Sequence, residues 1–403
     1  MNTTSNFQET ITQLMTRTKL YWGVAIVFLA GILFSPVAGD GTNIFLEAGN
    51  LTDVLRQVSI IGIMAVGMTL VILIAGIDLS VGTVMALGST LTAMLLTLTG
   101  WSRASIIAVP VMTGVTFLVC FMAIRPLIMP RLPGRSGTAL TAVLCVVLAA
   151  LVCFWSMGQL DTGFGVLGVL LAAACVGLVI GATSGVIVAK GGLQPFIATL
   201  AMMVAVLGAA RLMAGQDQSV YAVYTGVNAT ENFDVLRASI WGIPVPGFIF
   251  LTVVLVFSVL MSKFRFGRHI YALGGNEAAA HLSGINVAKV KIIVFSLSAM
   301  LSSIAGVLYA AQYRQGKPDA GTGLELDAIA AVVIGGTNLM GGRGTVPGTL
   351  AGVLIFGLLS NILQLNNIDS NTQLVLKGAI IVAAVLLQEG NIRQWLSIRR
   401  GTS

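Results

Sequence analysis

Ionisable side chains beside or within apolar stretches are the residues of this sequence whose chemistry most needs an explanation. A charged group costs about 2.5–3.5 kcal/mol when a helix carries it into a membrane, so such groups are rare and serve a purpose. Asp78 lies between two apolar runs, and Glu325 and Asp327 begin a later one. Each carboxylate could cap the following helix, whose free N–H groups attract negative charge, or line a pathway for a solute. The sequence leaves both interpretations open.

Two further segments place polar side chains at breaks in apolar sequence. Gln194 and Phe196 follow two glycines, and an amide beside an aromatic ring suits a neutral polyol. The alternative is a helix that starts at Pro195 and packs Phe196 inside. Asn338 lies in the glycine-rich run 335–344, which lacks the Lys-Ser/Thr ending of a P-loop and therefore predicts a backbone break between packed helices. The predicted pathway residues are Asp78, Gln194, Phe196, Glu325, Asp327 and Asn338.

The breaks around Asp78 and Asn338 also resemble each other. The segments 71–82 and 331–342 align without gaps and share one isoleucine, two glycines and one leucine. Asp78 stands opposite Asn338 in this alignment. In apolar, glycine-rich sequence such a match is weak, and chance explains it as well as duplication does.

The sequence contains no arrangement typical of catalysis or of metal binding. The four cysteines lie in apolar runs without paired spacing, so we predict that they are small core side chains. His269 and His281 share one polar segment that offers no further ligand set. We therefore predict no catalytic residue, no metal site, no cofactor bound by this chain, and a role other than that of an enzyme.

The composition indicates a membrane protein. Of the 403 residues 56% are hydrophobic and only 9% are charged, and the mean hydropathy is +0.95. Soluble domains carry about 25% charged residues. The net charge of +7 does not indicate nucleic acid, because the basic residues lie in short loops beside apolar runs. We predict an all-α polytopic membrane protein in contact with lipid.

Twelve apolar runs are candidate membrane spans, since a helix needs roughly 17–25 apolar residues to cross a bilayer. One of them, 327–339, has only 13 residues and could be a half-helix or a segment shielded by protein. The candidates are 20–36, 55–75, 82–99, 104–124, 138–157, 164–189, 192–213, 247–262, 291–311, 327–339, 346–364 and 373–388.

Loop charges predict the orientation of these spans. Cytoplasmic loops of membrane proteins carry an excess of Lys and Arg. The loops 125–137 and 263–290 and the tail are basic, whereas 37–54, 158–163 and 216–246 carry the acids. The basic residues of the first loop and the tail are Arg125, Arg131, Arg135, Arg393, Arg399 and Arg400. An even number of spans, with both termini in the cytoplasm, fits this pattern.

The long, polar and basic loop 263–290 is the predicted docking surface for a partner. Residues 276–283 have helix-forming composition, and Gly284 follows them, which predicts a short surface helix. An active transporter needs energy, yet this chain has neither a nucleotide site nor the carboxylate relay of many proton-coupled carriers. The energy must then come from a partner that binds this loop.

Five ordered motifs carry a resemblance to a known family. The loop reads YALGGNEAA from Tyr271 and LSGI from Leu282, and the other motifs are GIDLSVG, AKGGLQPFIATL, ELDAIAAVVIGGT and GGRG. Together they resemble the ribose/galactose-type permeases of bacterial ABC sugar importers. The resemblance covers about 51–103 and 164–388.

The resemblance implies a permease subunit of the bacterial inner membrane, with 1–403 forming one transmembrane domain. It implies a second permease subunit, as in a homodimer, a cytoplasmic ATPase that holds ATP and Mg, and a periplasmic sugar-binding protein. The loop 263–290 would couple to the ATPase, although the closing glycine stands seven residues after the glutamate rather than six as in the wider motif. The coupling residues would be Gly274, Gly275, Asn276, Glu277, Ala278, Ala279 and Gly284.

The chain also departs from the ten-span core of that family. Residues 104–163 are predicted to be an inserted hairpin of two spans, which would keep all later loops on their usual side. Two alternatives stay open for the function. The chain could carry branched-chain amino acids or another small solute, or it could be a secondary carrier that acts alone.

Overall fold

The computed structural model describes residues 21–130, 134–215 and 220–388. The predicted cytoplasmic N-terminus, Arg131 of the loop 125–137, and the arginines of the tail lie outside these residues. Nearly all of the described chain is helical. The helices are α1 Tyr21–Leu33, α2 Ala48–Leu73, α3 Val81–Thr97, α4 Arg103–Ile128, α5 Arg135–Gly158, α6 Val166–Gly191, α7 Pro195–Ala214, α8 Val245–Lys263, α9 Arg265–Gly275, α10 Glu277–Leu282, α11 Val287–Tyr313, α12 Leu324–Ile334, α13 Val346–Leu365 and α14 Ser370–Gln388.

Short strands and 3-10 turns complete the described residues. Strand β1 Tyr221–Ala222 pairs antiparallel with β4 Gln315–Gly316, and β2 Ser239–Ile240 pairs antiparallel with β3 Ile243–Pro244. The 3-10 turns are Ile44–Leu46 and Glu231–Arg237. None of these was predicted, because two-residue strands leave no alternation of polar and apolar residues to detect.

The membrane-protein class is confirmed. Eight described helices are long and apolar enough to cross a membrane, namely α2, α4, α5, α6, α7, α8, α11 and α13. Helices α1 and α3 are apolar but shorter in the described residues. Helix α12 has only 11 residues, which agrees with a half-helix in the run 327–339. It ends because Gly336 adopts a φ of +86°, which L side chains rarely adopt.

The chain forms two compact units. Among the described residues, one consists of 21–77, 239–290 and 324–388, and the other of 78–130, 134–215, 220–238 and 291–323. In the first unit α2 packs against α8, α12 and α13. In the second unit α3 packs against α6 and α7, and α4 packs against α5 and α6. Helices α4 and α5 are the two helices of the predicted hairpin 104–163, whose origin as an insertion stays a prediction.

Glycines let helices in both units approach backbone to backbone. In lipid there is no hydrophobic drive between helices, so close van der Waals packing must hold them together. Three glycines at four-residue spacing on α6, Gly177, Gly181 and Gly185, face the backbone of α11. A Cβ at Gly181 would lie 2.6 Å from the Cα of Ser296, so even a methyl group would push the helices apart.

We expect Gly181→Ala to destabilise the protein by about 1–3 kcal/mol, because overpacking against backbone cannot be relieved by a rotamer change. Gly208→Ala on α7 is the matched control, since a Cβ there meets nothing within 4 Å. Alanine exceeds glycine in helix propensity by about 0.8–1 kcal/mol, so this control should be neutral or stabilising. Thermal unfolding in lipid nanodiscs measures both effects. Equal behaviour of the two variants would contradict the close packing of α6 on α11.

Candidate functional site

The predicted surface helix is confirmed as α10. Its N-cap is Asn276, whose Oδ1 accepts a hydrogen bond from the Ala279 N–H at 2.9 Å. Gly284 terminates it with a φ of +83°, and the Gly284 N–H donates to the His281 carbonyl at 3.0 Å. A glycine in the left-handed region is the usual end of a helix. The loop also contains α9, which the sequence did not predict.

The surface of α10 presents one large apolar side chain to solvent. Residues 275–279, including Glu277, are exposed, whereas Ala280 is buried. Leu282 is 87% exposed. Leu282 and Ala280 are two positions apart and so point to different faces of the helix. This difference in direction follows from their spacing in the sequence alone. Single exposed leucines are common on protein surfaces, so Leu282 marks a contact only together with the basic, exposed loop that carries it.

Behind α10, three chain segments meet through their backbones at a point that we name the glycine junction. The Gly342 N–H donates to the Leu73 carbonyl at the end of α2 at 3.0 Å. A Cβ at Gly274 would overlap the Leu73 carbonyl oxygen and lie 2.6 Å from the Gly342 nitrogen. The glycine junction consists of Leu73, Ala75, Gly274, Gly275, Gly341 and Gly342.

Local backbone conformation explains the composition of the glycine junction. Gly341 and Gly342 have φ values of +85° and +71°, where L side chains are strained. Ala75 is left-handed as well, at +59°, and a Cβ on Gly341 would lie 3.0 Å from its Cβ. A left-handed non-glycine residue costs of order 1–3 kcal/mol and persists only where the surrounding structure over-determines it. The end of α2 is therefore held in one conformation between the glycine loop after α12 and the end of α9.

Two side chains brace the glycine junction. The Tyr271 hydroxyl on α9 donates to the Gly344 carbonyl at 2.8 Å, and burial raises the pKa of Tyr271, so it remains a donor at neutral pH. Asn338 accepts a hydrogen bond from the Met340 N–H through Oδ1 at 2.9 Å, and its own N–H donates to the Arg343 carbonyl at 2.8 Å. Asn338 thus shapes the loop, and its role in a pathway stays a prediction.

Asp78 lies in the second unit and is only 1% exposed. Its Oδ1 accepts hydrogen bonds from the Ser80 N–H at 3.0 Å and the Ser80 hydroxyl at 2.6 Å. Its Oδ2 accepts from the Ser298 hydroxyl of α11 at 3.2 Å. These contacts favour the structural interpretation of Asp78. The bond to the backbone two residues on is the same turn that Asn338 makes, so the weak sequence match between 71–82 and 331–342 has a counterpart in backbone structure.

Asp327 forms an ion pair that the sequence did not predict. The Lys377 Nζ on α14 lies 2.8 Å from Asp327 Oδ2 on α12, and 5.2 Å from the centre of the Phe356 ring on α13. Asp327 is 8% exposed. Lys377 is the single charged residue of the run 373–388, and an ionisable residue within a span calls for a partner. The single lysine in this apolar run could therefore have been used to predict an ion pair from the sequence.

The remaining predicted pathway residues lie elsewhere. Glu325 is half-buried in the first turn of α12. Gln194 is the N-cap residue of α7, which starts at Pro195, and both Gln194 and Phe196 are exposed. The structure joins Asp327 to Lys377 and Asp78 to Ser298, and it does not enclose Gln194 or Phe196. Within the described residues no group of three His, Cys, Asp or Glu side chains could hold a metal ion.

The fold is that of a polytopic membrane protein, and the proteins similar to it are membrane transport subunits. Residues 50–163 and 134–385 match the family described as "Branched-chain amino acid transport system / permease component". The chain belongs to this permease family, as its motifs indicated.

Several permeases of known name are similar to this chain over most of its length. The ribose import permease protein of Escherichia coli K12 is 41% identical over 352 residues, which cover 85% of this chain and 86% of that protein. The Haemophilus influenzae ribose import permease is 38% identical over 385 residues, or 96% of both chains. The xylose transport system permease of E. coli K12 is 33% identical over 379 residues, or 91% of both. No solved structure matches this chain.

Proposed function

We propose that this chain is the permease of an ATP-driven importer and that it translocates a monosaccharide across a bacterial inner membrane. The observation that carries the proposal is the glycine junction, which connects the exposed helix α10 to the end of α2 and to the loop after α12. The named ribose and xylose permeases support a sugar as the solute.

In the proposed mechanism a partner ATPase binds α10 and supplies the energy. ATP and Mg bind to that ATPase, and a periplasmic binding protein delivers the sugar to the opposite side. When the ATPase domains close, α10 moves with the adjoining end of α9, and the contacts of Gly274 there carry the displacement to α2 and to the loop beyond α12. Such a change requires that the ATPase-bound and free states differ in contact energy at the junction. We also propose that the assembly contains a second copy of this chain. Each copy would have twelve spans, with both termini in the cytoplasm.

One experiment distinguishes the proposed sugar importer from two alternatives, an importer of another solute and a carrier that works without ATP. The family description names branched-chain amino acids, and a carrier acting alone would need no nucleotide. The test is uptake by proteoliposomes that contain this chain, its ATPase and its binding protein, with a panel of pentoses, hexoses and branched-chain amino acids. We expect uptake of a monosaccharide that requires both ATP and the binding protein. Uptake of an amino acid, or uptake without ATP, would overturn the proposal.

We expect Leu282→Asp to weaken binding of the ATPase by about 2 kcal/mol, the loss typical of an interface hot spot. Glu277→Lys on the same helix should also abolish stimulated ATP hydrolysis and uptake. The matched control is Val227→Asp, because Val227 is 86% exposed and lies in a segment predicted to face the periplasm. Co-purification of the ATPase measures the effect. Retention of the ATPase by Leu282→Asp at the control level would contradict docking on α10.

A further inference from the structure

The hairpin β2–β3 ends in a turn whose conformation is unusual for its residues, and no contact among the described residues explains it. The register pairs Ile240 with Ile243, so the turn consists of Trp241 and Gly242 alone. Their φ values are +52° and +78°, both in the left-handed region. A two-residue turn of this type strongly prefers Asn-Gly or Gly-Gly, and a bulky aromatic residue in its first central position is an outlier.

The strained tryptophan makes almost no contact within the chain. Trp241 is 94% exposed, and its neighbours Ile240 and Ile243 are 49% and 38% exposed. A strained conformation that presents a large apolar ring outward points to an environment outside the chain that compensates for the strain. The external environment would be either a bilayer or another protein.

The position of the hairpin relative to α8 favours the bilayer as its environment. Strand β3 ends at Pro244, and α8 starts at Val245. The 19 residues of α8 span about 28 Å at 1.5 Å per residue, close to the thickness of the hydrocarbon core, so Val245 lies near the edge of that core. The two residues of β3 place the turn within about 7 Å of the start of α8. That distance lies within the headgroup layer, where tryptophan is enriched.

The absence of charge in the hairpin and the exposed apolar side chains of α8 also support a bilayer environment. The sequence has no charged residue between Arg237 and Lys263, so neither the hairpin nor α8 before its last residue carries a charge that would oppose contact with lipid. Helix α8 exposes an apolar stripe at four-residue spacing, with Leu251, Leu255 and Val259 at 49%, 64% and 42% exposure. The hairpin is joined directly to the start of α8, the helix that carries this stripe.

We propose that the β2–β3 hairpin is an interfacial anchor that seats Trp241 in the lipid headgroup layer at the start of α8. The anchor sets the depth at which α8 enters the membrane, because the strand and the helix are joined without a linker. Strand β3 also packs against α2, so the depth of α2 is set at the same point.

Fluorescence of Trp241 tests the anchor in the full chain. The other tryptophans, Trp22, Trp101, Trp155 and Trp395, are replaced by phenylalanine, and the protein is placed in phosphatidylcholine–phosphatidylglycerol vesicles. We expect lipids brominated high on the acyl chain to quench Trp241 roughly twofold more than aqueous iodide does, as befits a ring at the membrane interface. Quenching by iodide alone would overturn the anchor. So would iodide quenching that a soluble binding protein suppresses, because the partner would then be a protein.

Variants of Trp241 in the otherwise natural chain provide a second readout. Trp241→Tyr keeps an amphipathic ring, whereas Trp241→Gly removes it and also relieves the strained φ. We expect the unfolding temperature in vesicles to be unchanged for Trp241→Tyr and lowered for Trp241→Gly. A higher unfolding temperature for Trp241→Gly would overturn the proposal, because strain relief would then outweigh any lipid contact.

Discussion

Gly274→Ala is expected to abolish uptake, although it adds a single methyl group. The added Cβ would overlap the Leu73 carbonyl oxygen and lie 2.6 Å from the Gly342 nitrogen. Both neighbours are backbone atoms, so no side chain can rotate away, and α9 must separate from the end of α2. We expect a loss of stability of about 3 kcal/mol, at the upper end for overpacking. Uptake in proteoliposomes and thermal unfolding in nanodiscs measure the two consequences.

The adjacent residue provides a closely matched control. A Cβ at Gly275 would meet nothing within 4 Å, so Gly275→Ala adds the same methyl group in the same loop without a collision. We expect near-normal unfolding for Gly275→Ala, and any loss of uptake with it must arise at the contact with the ATPase. Normal uptake by a folded Gly274→Ala protein would show that the glycine junction does not transmit movement.

The sequence located α10 but not the contacts of the glycine junction behind it. Residues 276–283 were identified from the basic charge of their loop and from their helix-forming composition. Loop charge and helix capping depend on residues that are close together in the sequence. The contact of Gly274 with Leu73 and Gly342 joins residues far apart in the chain. Glycine-to-backbone packing leaves no pattern of side chains in the sequence, so a glycine at an interhelical contact looks the same as one that faces open space.

The helices themselves were largely predictable, since membrane thickness fixes the length of an apolar run. The run 164–189 became α6, at Val166–Gly191, and the run 346–364 became α13, at Val346–Leu365. Helix α9 was missed because its arginines and glycines indicate a loop. The turn at Trp241 was missed because its left-handed φ contradicts the preference of tryptophan. Local rules fail at such positions where packing or an external partner decides the conformation.

The ion pair of Asp327 with Lys377 has a further implication for α12. This short helix ends at Ile334, and a glycine loop follows it to Gly341 and Gly342 of the glycine junction. Near its start, Asp327 is tied to α14. The start of α12 is thus held by the ion pair, while its end leads into the glycine loop that contacts α9. A displacement at α9 would therefore act on a helix whose far end is held.

Lys377→Met is expected to destabilise the protein by about 3–5 kcal/mol, since it leaves the Asp327 carboxylate buried without its cation. Adding Asp327→Asn should recover most of that loss, because the double variant buries no unpaired charge. The control is Lys317→Met, whose pair with Asp319 at 3.5 Å is exposed and worth at most about 1 kcal/mol. A double-mutant cycle by thermal unfolding in nanodiscs separates the pair from other effects. If Lys377→Met costs no more than Lys317→Met, the pair does not hold α12 to α14.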